Sequence, residues 1–435
     1  MTRGFLFRNG APGAYPDSYY AATANKVAPF PVLEGDTDCD VCIIGGGFTG
    51  LSAALELAER GLGVVLLEAH RPGWGASGRN GGQAGSGHRR DQDWLERAVG
   101  RDDAHRLWDI AQQAKALVKE RIARHAIACD LKPGILHVSH KRSLVAGDHA
   151  YVEKLRTDYG YTDITPVSDA EARDMLGGAP YYGGSLDMGA AHLHPLNFAL
   201  GLADAARAAG ARIFERSAAV RFEAGDPASV RTAQGSVRAR FVILACNGYL
   251  DDLSPRVAAR VMPINNFVIA TEPLGEDRAR QIIRDDVAVA DSKFVINYFR
   301  LSADRRLLFG GGETYSYDFP KDIKAFVRPH MLRIYPQLAD ARIDYGWGGT
   351  LGITISRMPY FARPGANVLT ASGYSGHGVA LATLAGQILA EAVEGTLGRF
   401  DVMARLPARA FPGGTRLRFP LLVLAMLWYG LRDRL

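Results

Sequence analysis

Cysteine is scarce in this chain, and its scarcity narrows the field. Only Cys39, Cys42, Cys129 and Cys246 occur among 435 residues, too few for a scaffold built on disulfides. Cys39 and Cys42 form a CxxC pair, yet Cys42 lies inside an apolar run. No second CxxC or histidine pair supplies the other ligands of a zinc site, so no metal is expected. Long apolar runs are lacking as well. The strongest, Phe419 to Tyr429 (FPLLVLAMLWY), falls well short of the ~18 residues that suggest a membrane span. It is expected to dock as a helix on the core. The alternative is a peripheral membrane contact flanked by Arg416, Arg418, Arg432 and Arg434. Met1 to Gly13 lacks the apolar core of a secretory signal, so the expected location is cytoplasmic. Charge of one sign is also wanting: 51 basic residues against 46 acidic give +5, with no basic block of the kind that binds nucleic acid. Nothing in the sequence reads out an oligomeric state.

Glycine is what the chain has in excess. There are 49, above the roughly 7% of ordinary proteins, and they cluster at a few places. Such clustering suits a backbone that must approach a ligand closely. Residues 1–36 read as an extended arm. Val41-Cys42-Ile43-Ile44 is a short apolar run suited to a buried parallel strand. Leu51, Ala54, Leu55 and Ala58 then repeat at helical spacing until Gly61 stops them. Val64 to Leu67 forms the next strand, which completes a right-handed βαβ unit. Similar pieces recur near 190–255 and 345–395, and strand signals dominate from Met262 to Gly312.

Between the first strand and helix stands Gly45-Gly46-Gly47-Phe48-Thr49-Gly50, a G-x-G-x-x-G in the setting that its mechanism demands. Gly45 permits the tight turn, Gly47 lets a pyrophosphate approach, and Gly50 allows close packing of helix on strand. The helix start offers unpaired N–H groups to the phosphates. Glu68, ending the second strand, can accept hydrogen bonds from ribose hydroxyls and would repel a 2′-phosphate. These features specify a dinucleotide but do not separate NAD from FAD.

Further glycine-rich pieces favour FAD. Gly73-Trp74-Gly75-Ala76-Ser77-Gly78-Arg79-Asn80-Gly81-Gly82-Gln83 keeps its backbone bare, while Ser77, Arg79 and Asn80 supply donors. Ala245-Cys246-Asn247-Gly248 closes a strand with a small-residue turn. Gly373-Tyr374-Ser375-Gly376-His377-Gly378 opens a long helix, whose positive end would stabilise negative charge on a reduced flavin. His377 is a candidate for proton transfer, although a histidine in such a loop more often packs or hydrogen-bonds. An NAD enzyme would leave these later loops without a task.

The set GGGFTG, Glu68, GWGASGRNGGQ, HLHPLNFALGLADAARAAG, VILACNGYL and WGGTLGIT…NVLTASGYSGHGVALATLAGQ resembles the D-amino-acid oxidase and sarcosine oxidase superfamily. With SYYAATAN, NYFRLSADRRLLFGGGET and the C-terminal tail included, the chain is most similar to bacterial gamma-glutamylputrescine oxidases. The resemblance implies an α/β plus α+β fold: a discontinuous Rossmann-like FAD-binding domain (37–91, 190–255 and 345–400) and a β-sheet-rich substrate domain (92–189 and 256–344). The arm (1–36) and a tail (401–435) flank them. By position, the FAD contacts would be Gly45, Gly47, Phe48, Thr49, Gly50, Glu68, Ser77, Arg79, Asn80, Gly81, Gly82, Asn247, Gly248, Gly373, Tyr374, Gly376, His377 and Gly378.

The departures from the superfamily matter too. Relatives that tether flavin covalently place a Cys before the final strand or a His in the second glycine loop. Here those places read Thr350-Leu351-Gly352-Ile353 and Asn80-Gly81-Gly82-Gln83, so FAD is expected to be non-covalent. The amino-acid oxidases carry a carboxylate-binding Arg near Leu351, and none stands here, which shifts the expected substrate towards an amine. The oxygen-activating Lys of the sarcosine oxidases falls near Leu307-Leu308-Phe309. The expected chemistry is hydride transfer from an amine-bearing carbon to flavin N5, with imine hydrolysis and oxygen as the final acceptor. A dehydrogenase that passes electrons from an amino acid or secondary amine to a quinone is the alternative, and a non-catalytic flavin-binding subunit a further one. Tyr298, Arg300, Glu313, Trp347 and His377 are the substrate-pocket candidates; no catalytic base is named.

Overall fold

The computed structural model describes residues 4–314 and 316–415, together with 417, 418, 420, 423 and 424. Most of the apolar run Phe419 to Tyr429 and its expected docking therefore lie outside the described residues. Two sheets organise the molecule. The first has eight strands, and its main path runs Tyr360–Gly365, Val368–Ser372, Gly235–Leu244, Gly35–Ile44, Val64–Leu67, Arg212–Phe214. Its central pairings are parallel, with Ile43 level with both Ile243 and Leu66. These strands are apolar on both faces, as befits a parallel sheet covered on each side. Helices Phe48–Glu59, Arg101–Arg124, Pro195–Ala208 and Gly378–Val393 supply one of those layers and share its largest apolar core.

Two of these helices cross at very short range because small residues meet there. A Cβ on Gly386 would lie 2.5 Å from the Thr49 carbonyl oxygen, and Ser52 Oγ donates to Thr383 O at 2.5 Å. The helix that carries the first glycine loop is thus fixed against the helix that begins at the third.

The second sheet has nine strands, mostly antiparallel, ordered Ile343–Ile353, Met262–Thr271, Leu307–Glu313, Tyr298–Leu301, Ala288–Asp291, Lys132–Val138, Gly184–His192, Gln83–Ala84, with Ile164–Val167 beside Gly184–His192. One face packs against helices Asp169–Met175, Glu276–Ile282 and Ile323–Ile334. The expected segment 345–400 is shared between the sheets, since Ile343–Ile353 pairs along its length with Met262–Thr271. Gly346, Gly348, Gly349 and Gly352 interrupt any alternation in that strand, so its sequence carries no β signal and its register comes from the partner.

The N-terminal arm is anchored more deeply than an extended surface arm. Its short helix Tyr19–Ala22, capped by Ser18, buries Tyr19 and Tyr20. Tyr20 is fully buried and meets the Trp347 ring edge-on at 5.1 Å. Both pack with Leu196 and Leu200 from the first layer and with Val268, Ala270 and Leu308 from the second sheet. Burying each such side chain is worth about 1.5–3 kcal/mol. The arm therefore welds the two sheets together beside the glycine loops.

Candidate functional site

The first glycine loop is shaped by contacts that only glycine tolerates. Gly45 has φ +110°, and a Cβ there would sit 2.7 Å from Ala245 O. At Gly50 a Cβ would lie 1.9 Å from Gly45 O, so the helix can rest on the strand only without a side chain. Glu68 is buried and accepts from Gly46 N–H at 2.7 Å and His70 N–H at 2.8 Å, one amide to each carboxylate oxygen. Burial raises its carboxyl pKa against the pull of those amides, and Glu215 adds to the rise. Each oxygen keeps a second lone pair with which to receive a hydroxyl.

The second glycine loop is tied to the first at two points. Gly73 N–H donates to Gly46 O at 2.8 Å, and Ser77 Oγ accepts the Phe48 amide at 2.9 Å. Within the loop Asn80 uses both ends of its side chain: Nδ2 donates to Ala76 O and Ser77 O, and Oδ1 accepts from Gly82 N–H. Its side chain therefore shapes the turn. Arg79 is only 4% exposed. Its guanidinium lies over the Trp74 ring at 4.2 Å, and Nε and Nη1 donate to Trp74 O and Gly348 O. Nη2 is buried and has no hydrogen-bond partner among the described residues. No carboxylate joins that guanidinium in an ion pair among the described residues, and burial lowers its pKa.

The remaining pieces arrive from the sheet ends. Asn247, with φ +48°, accepts the Gly373 amide on Oδ1 at 2.9 Å. A Cβ on Gly352 would fall 2.3 Å from that same oxygen, so one asparagine gathers three chain segments. Gly248 backs onto Leu351 O, 3.1 Å from where its Cβ would stand. Thr49 Oγ1 and Tyr374 OH hydrogen-bond at 2.7 Å, which joins the first loop to the third. Gly376 is exposed, and His377 and Gly378 are half-buried at the start of the helix. His377 Nε2 lies 3.4 Å from Ser86 O. Burial pushes the His377 pKa down to about 3, helped by Arg89, His137 and His88, so the ring is neutral at physiological pH.

The substrate-pocket candidates fare differently. Tyr298 lies between the second sheet and the second glycine loop, its ring 2.6 Å from a Cβ position on Gly81 and 2.1 Å from one on Gly310. Its hydroxyl donates to Asn266 Oδ1 at 2.5 Å. Arg300 is a buried brace: Nε donates to Gly81 O, Nη2 to Leu193 O and Tyr20 OH, and Nη1 to Leu301 O. Trp347 is 1% exposed and donates Nε1–H to Arg79 O at 3.0 Å. Both hold the second glycine loop in place. The Glu313 side chain lies outside the described residues. Sequence reasoning missed His70, Tyr249 and Asn266. His70 stacks on Trp74 at 3.7 Å, and Tyr249 OH accepts the Thr350 amide at 3.2 Å. None of these carries a motif signal; only the fold brings it to the site.

The residues present suit FAD. Glycine-bare backbone, a carboxylate at the second strand end, a buried guanidinium with one nitrogen left without a hydrogen-bond partner among the described residues and a helix N-terminus converge from four separate chain segments. That arrangement defines a two-sheet dinucleotide-binding flavoprotein. The DAO family, described as FAD dependent oxidoreductase, matches residues 40–392. The chain is 44% identical over 422 residues to gamma-glutamylputrescine oxidoreductase of Escherichia coli (strain K12), covering 97% of this chain and 99% of that protein. It is 44% identical over 418 residues to a probable oxidoreductase OrdL of Rhizobium meliloti (strain 1021), covering 96% and 97%. In fold it is similar to glycine oxidase from Geobacillus kaustophilus, with TM-score 0.71 at 21% identity over 83% of this chain and 98% of that one. The chain belongs to the DAO family of FAD-dependent oxidoreductases.

Proposed function

We propose that the protein oxidises an amine of the gamma-glutamylputrescine type, or a related polyamine. The observation that carries this reading is the near full-length similarity to a gamma-glutamylputrescine oxidoreductase. An apolar wall agrees with it. Leu351 packs with Met262, Ile264, Ile353, Phe411, Phe294 and Val295, an apolar setting that offers no cation to an α-carboxylate.

FAD would be held by Gly45, Gly47, Phe48, Thr49 and Gly50 along its pyrophosphate, and by Glu68 at a ribose. The second loop, from Ser77 to Gly82, and the Asn247-Gly248 and Gly373 to Gly378 turns would complete the cradle. When bound, FAD supplies the two-electron acceptor for hydride leaving the amine-bearing carbon, after which the imine hydrolyses in water to an aldehyde, with ammonia released from a primary amine or a smaller amine from a secondary one. The chain's own part is positioning and desolvation. Tyr298, oriented by Asn266, presents a phenol beside the second glycine loop. Apolar neighbours favour the neutral amine, the form that releases hydride, by penalising its ammonium. His377, neutral, offers no charge that would repel it.

Oxygen is the proposed final acceptor, with hydrogen peroxide as the measurable product. A quinone or another acceptor is the second reading, favoured by Leu307, Leu308 and Phe309, which are buried and apolar where an oxygen-activating cation would stand. FAD is proposed to be dissociable, so acid precipitation should leave a colourless pellet and a yellow supernatant. The test of the amine reading is anaerobic bleaching of the flavin band (about 450 nm) by gamma-glutamylputrescine. If neither gamma-glutamylated nor free polyamines bleach it, the reading is wrong.

A further inference from the structure

Lys115 is a buried lysine with no task in the chemistry above. It lies on the long helix Arg101–Arg124 and is 6% exposed. Its Nζ donates to Ser86 Oγ at 2.5 Å and Tyr161 OH at 2.8 Å. Tyr161 OH in turn donates to Asp187 Oδ1 at 2.5 Å, and Ser86 Oγ lies 3.0 Å from the same phenol. The ammonium also sits 4.5 Å from the Tyr161 ring centre. Asp187 is 1% exposed, and its Oδ1 accepts the Ala190 amide as well. Charged groups on three elements bear on Lys115: Asp187, Asp163 and, with opposite effect, Lys119.

Burying a lysine and an aspartate costs several kcal/mol per ion, so this cluster is a poor device for stability alone. A fully bonded polar network instead fixes one conformation. What it fixes is the Gly85–Ser86 segment. Ser86 O faces His377 Nε2 at 3.4 Å, and a Cβ on Gly85 would stand 3.3 Å from that nitrogen. A carbonyl only accepts, so the contact selects the tautomer with the proton on Nε2 and leaves Nδ1 unprotonated.

We propose that Lys115 is a positioning residue of the flavin site: with Tyr161 and Asp187 it pins Ser86, and through the Ser86 carbonyl it sets the orientation and tautomer of His377. The inference rests on the reading that the helix N-terminus beside His377 faces the flavin, not on which amine is oxidised.

The holoenzyme and its variants S86A and K115M test it. S86A removes the hydroxyl through which Lys115 and Tyr161 hold the segment, keeps the carbonyl and leaves Lys115 its bond to Tyr161. The first readout is the visible circular dichroism of bound FAD; the second is the nitrogen shifts of His377 in 15N-histidine protein, assigned with H377N; the third is kcat against KM. Both variants should hold FAD in the wild-type ratio while His377 moves from a single Nε2–H form to a mixture. The flavin band should change, and kcat should fall roughly tenfold with KM moving less than about twofold. Wild-type His377 shifts and an unchanged flavin band in S86A would overturn the proposal, and S86A decides it alone should K115M not fold. Because the first two readouts need no substrate, they succeed or fail independently of the amine assignment.

Discussion

Replacing Gly50 with alanine should weaken cofactor binding a hundredfold or more while leaving most of the fold in place. The added Cβ would stand 1.9 Å from Gly45 O and 3.2 Å from Ile43 Cγ2, whereas ordinary contact begins at 3.4 Å. Both neighbours belong to the close-packed start of the βαβ unit, so the helix must back away by roughly 1.5 Å. Overpacking of this kind costs about 1–3 kcal/mol of stability. The amides at the helix start move with it. Hydrogen bonds to a charged group contribute about 1.5–3 kcal/mol each, so misplacing two of them weakens FAD binding by about 3–6 kcal/mol, a hundredfold or more. The assay is titration of deflavinated protein with FAD, followed by fluorescence quenching. Gly147 is the control: it is exposed in the helix Arg142–Asp158, and a Cβ there meets nothing within 4 Å. Gly147→Ala should leave FAD affinity unchanged and stabilise the protein by about 0.5–1 kcal/mol. A Gly50→Ala protein that binds FAD as tightly as the Gly147→Ala protein would refute the reasoning.

Arg79→Met removes a buried cation that pairs with no carboxylate among the described residues; potentiometric titration should show a lower flavin midpoint potential, because negative charge on the reduced ring loses its stabiliser. Tyr298→Phe breaks the bond to Asn266, and steady-state assays should show kcat/KM for the amine falling about tenfold at unchanged FAD content. His70 holds the arm with both ring nitrogens, accepting from Gly13 N–H at 3.0 Å and facing Leu6 O at 2.8 Å. Burial lowers its pKa from 6.5, so the unfolded or detached state binds the proton first. The arm's attachment is complete above about pH 6.5 and weakens as pH falls towards the folded pKa. Limited proteolysis of residues 4–15 should accelerate on acidification, and His70→Gln should remove that dependence; equal rates in both proteins at both pH values would contradict it.

How far the sequence foretells this molecule depends on how local the signal is. The first glycine loop and Glu68 sit in one βαβ unit, so spacing alone placed them. The later loops were legible as glycine clusters, but their convergence through Asn247, Gly352 and Gly373 depends on contacts across more than a hundred residues. The strand Ile343–Ile353 went unread because its glycines erase alternation. Arg300 and Trp347 read from the sequence as substrate-pocket candidates and not as braces, since their partners, Gly81, Leu193 and Arg79, lie far off in sequence. Asn266 carries no local signal, because its partner Tyr298 lies 32 residues away.

The most direct measurement is equilibrium titration of the deflavinated chain with FAD, read as flavin fluorescence and as the absorbance of the recovered protein. Uptake of about one FAD per chain, weakened a hundredfold or more in Gly50→Ala and kept in Gly147→Ala, is the expected result. A colourless protein that leaves added FAD free in solution would contradict it.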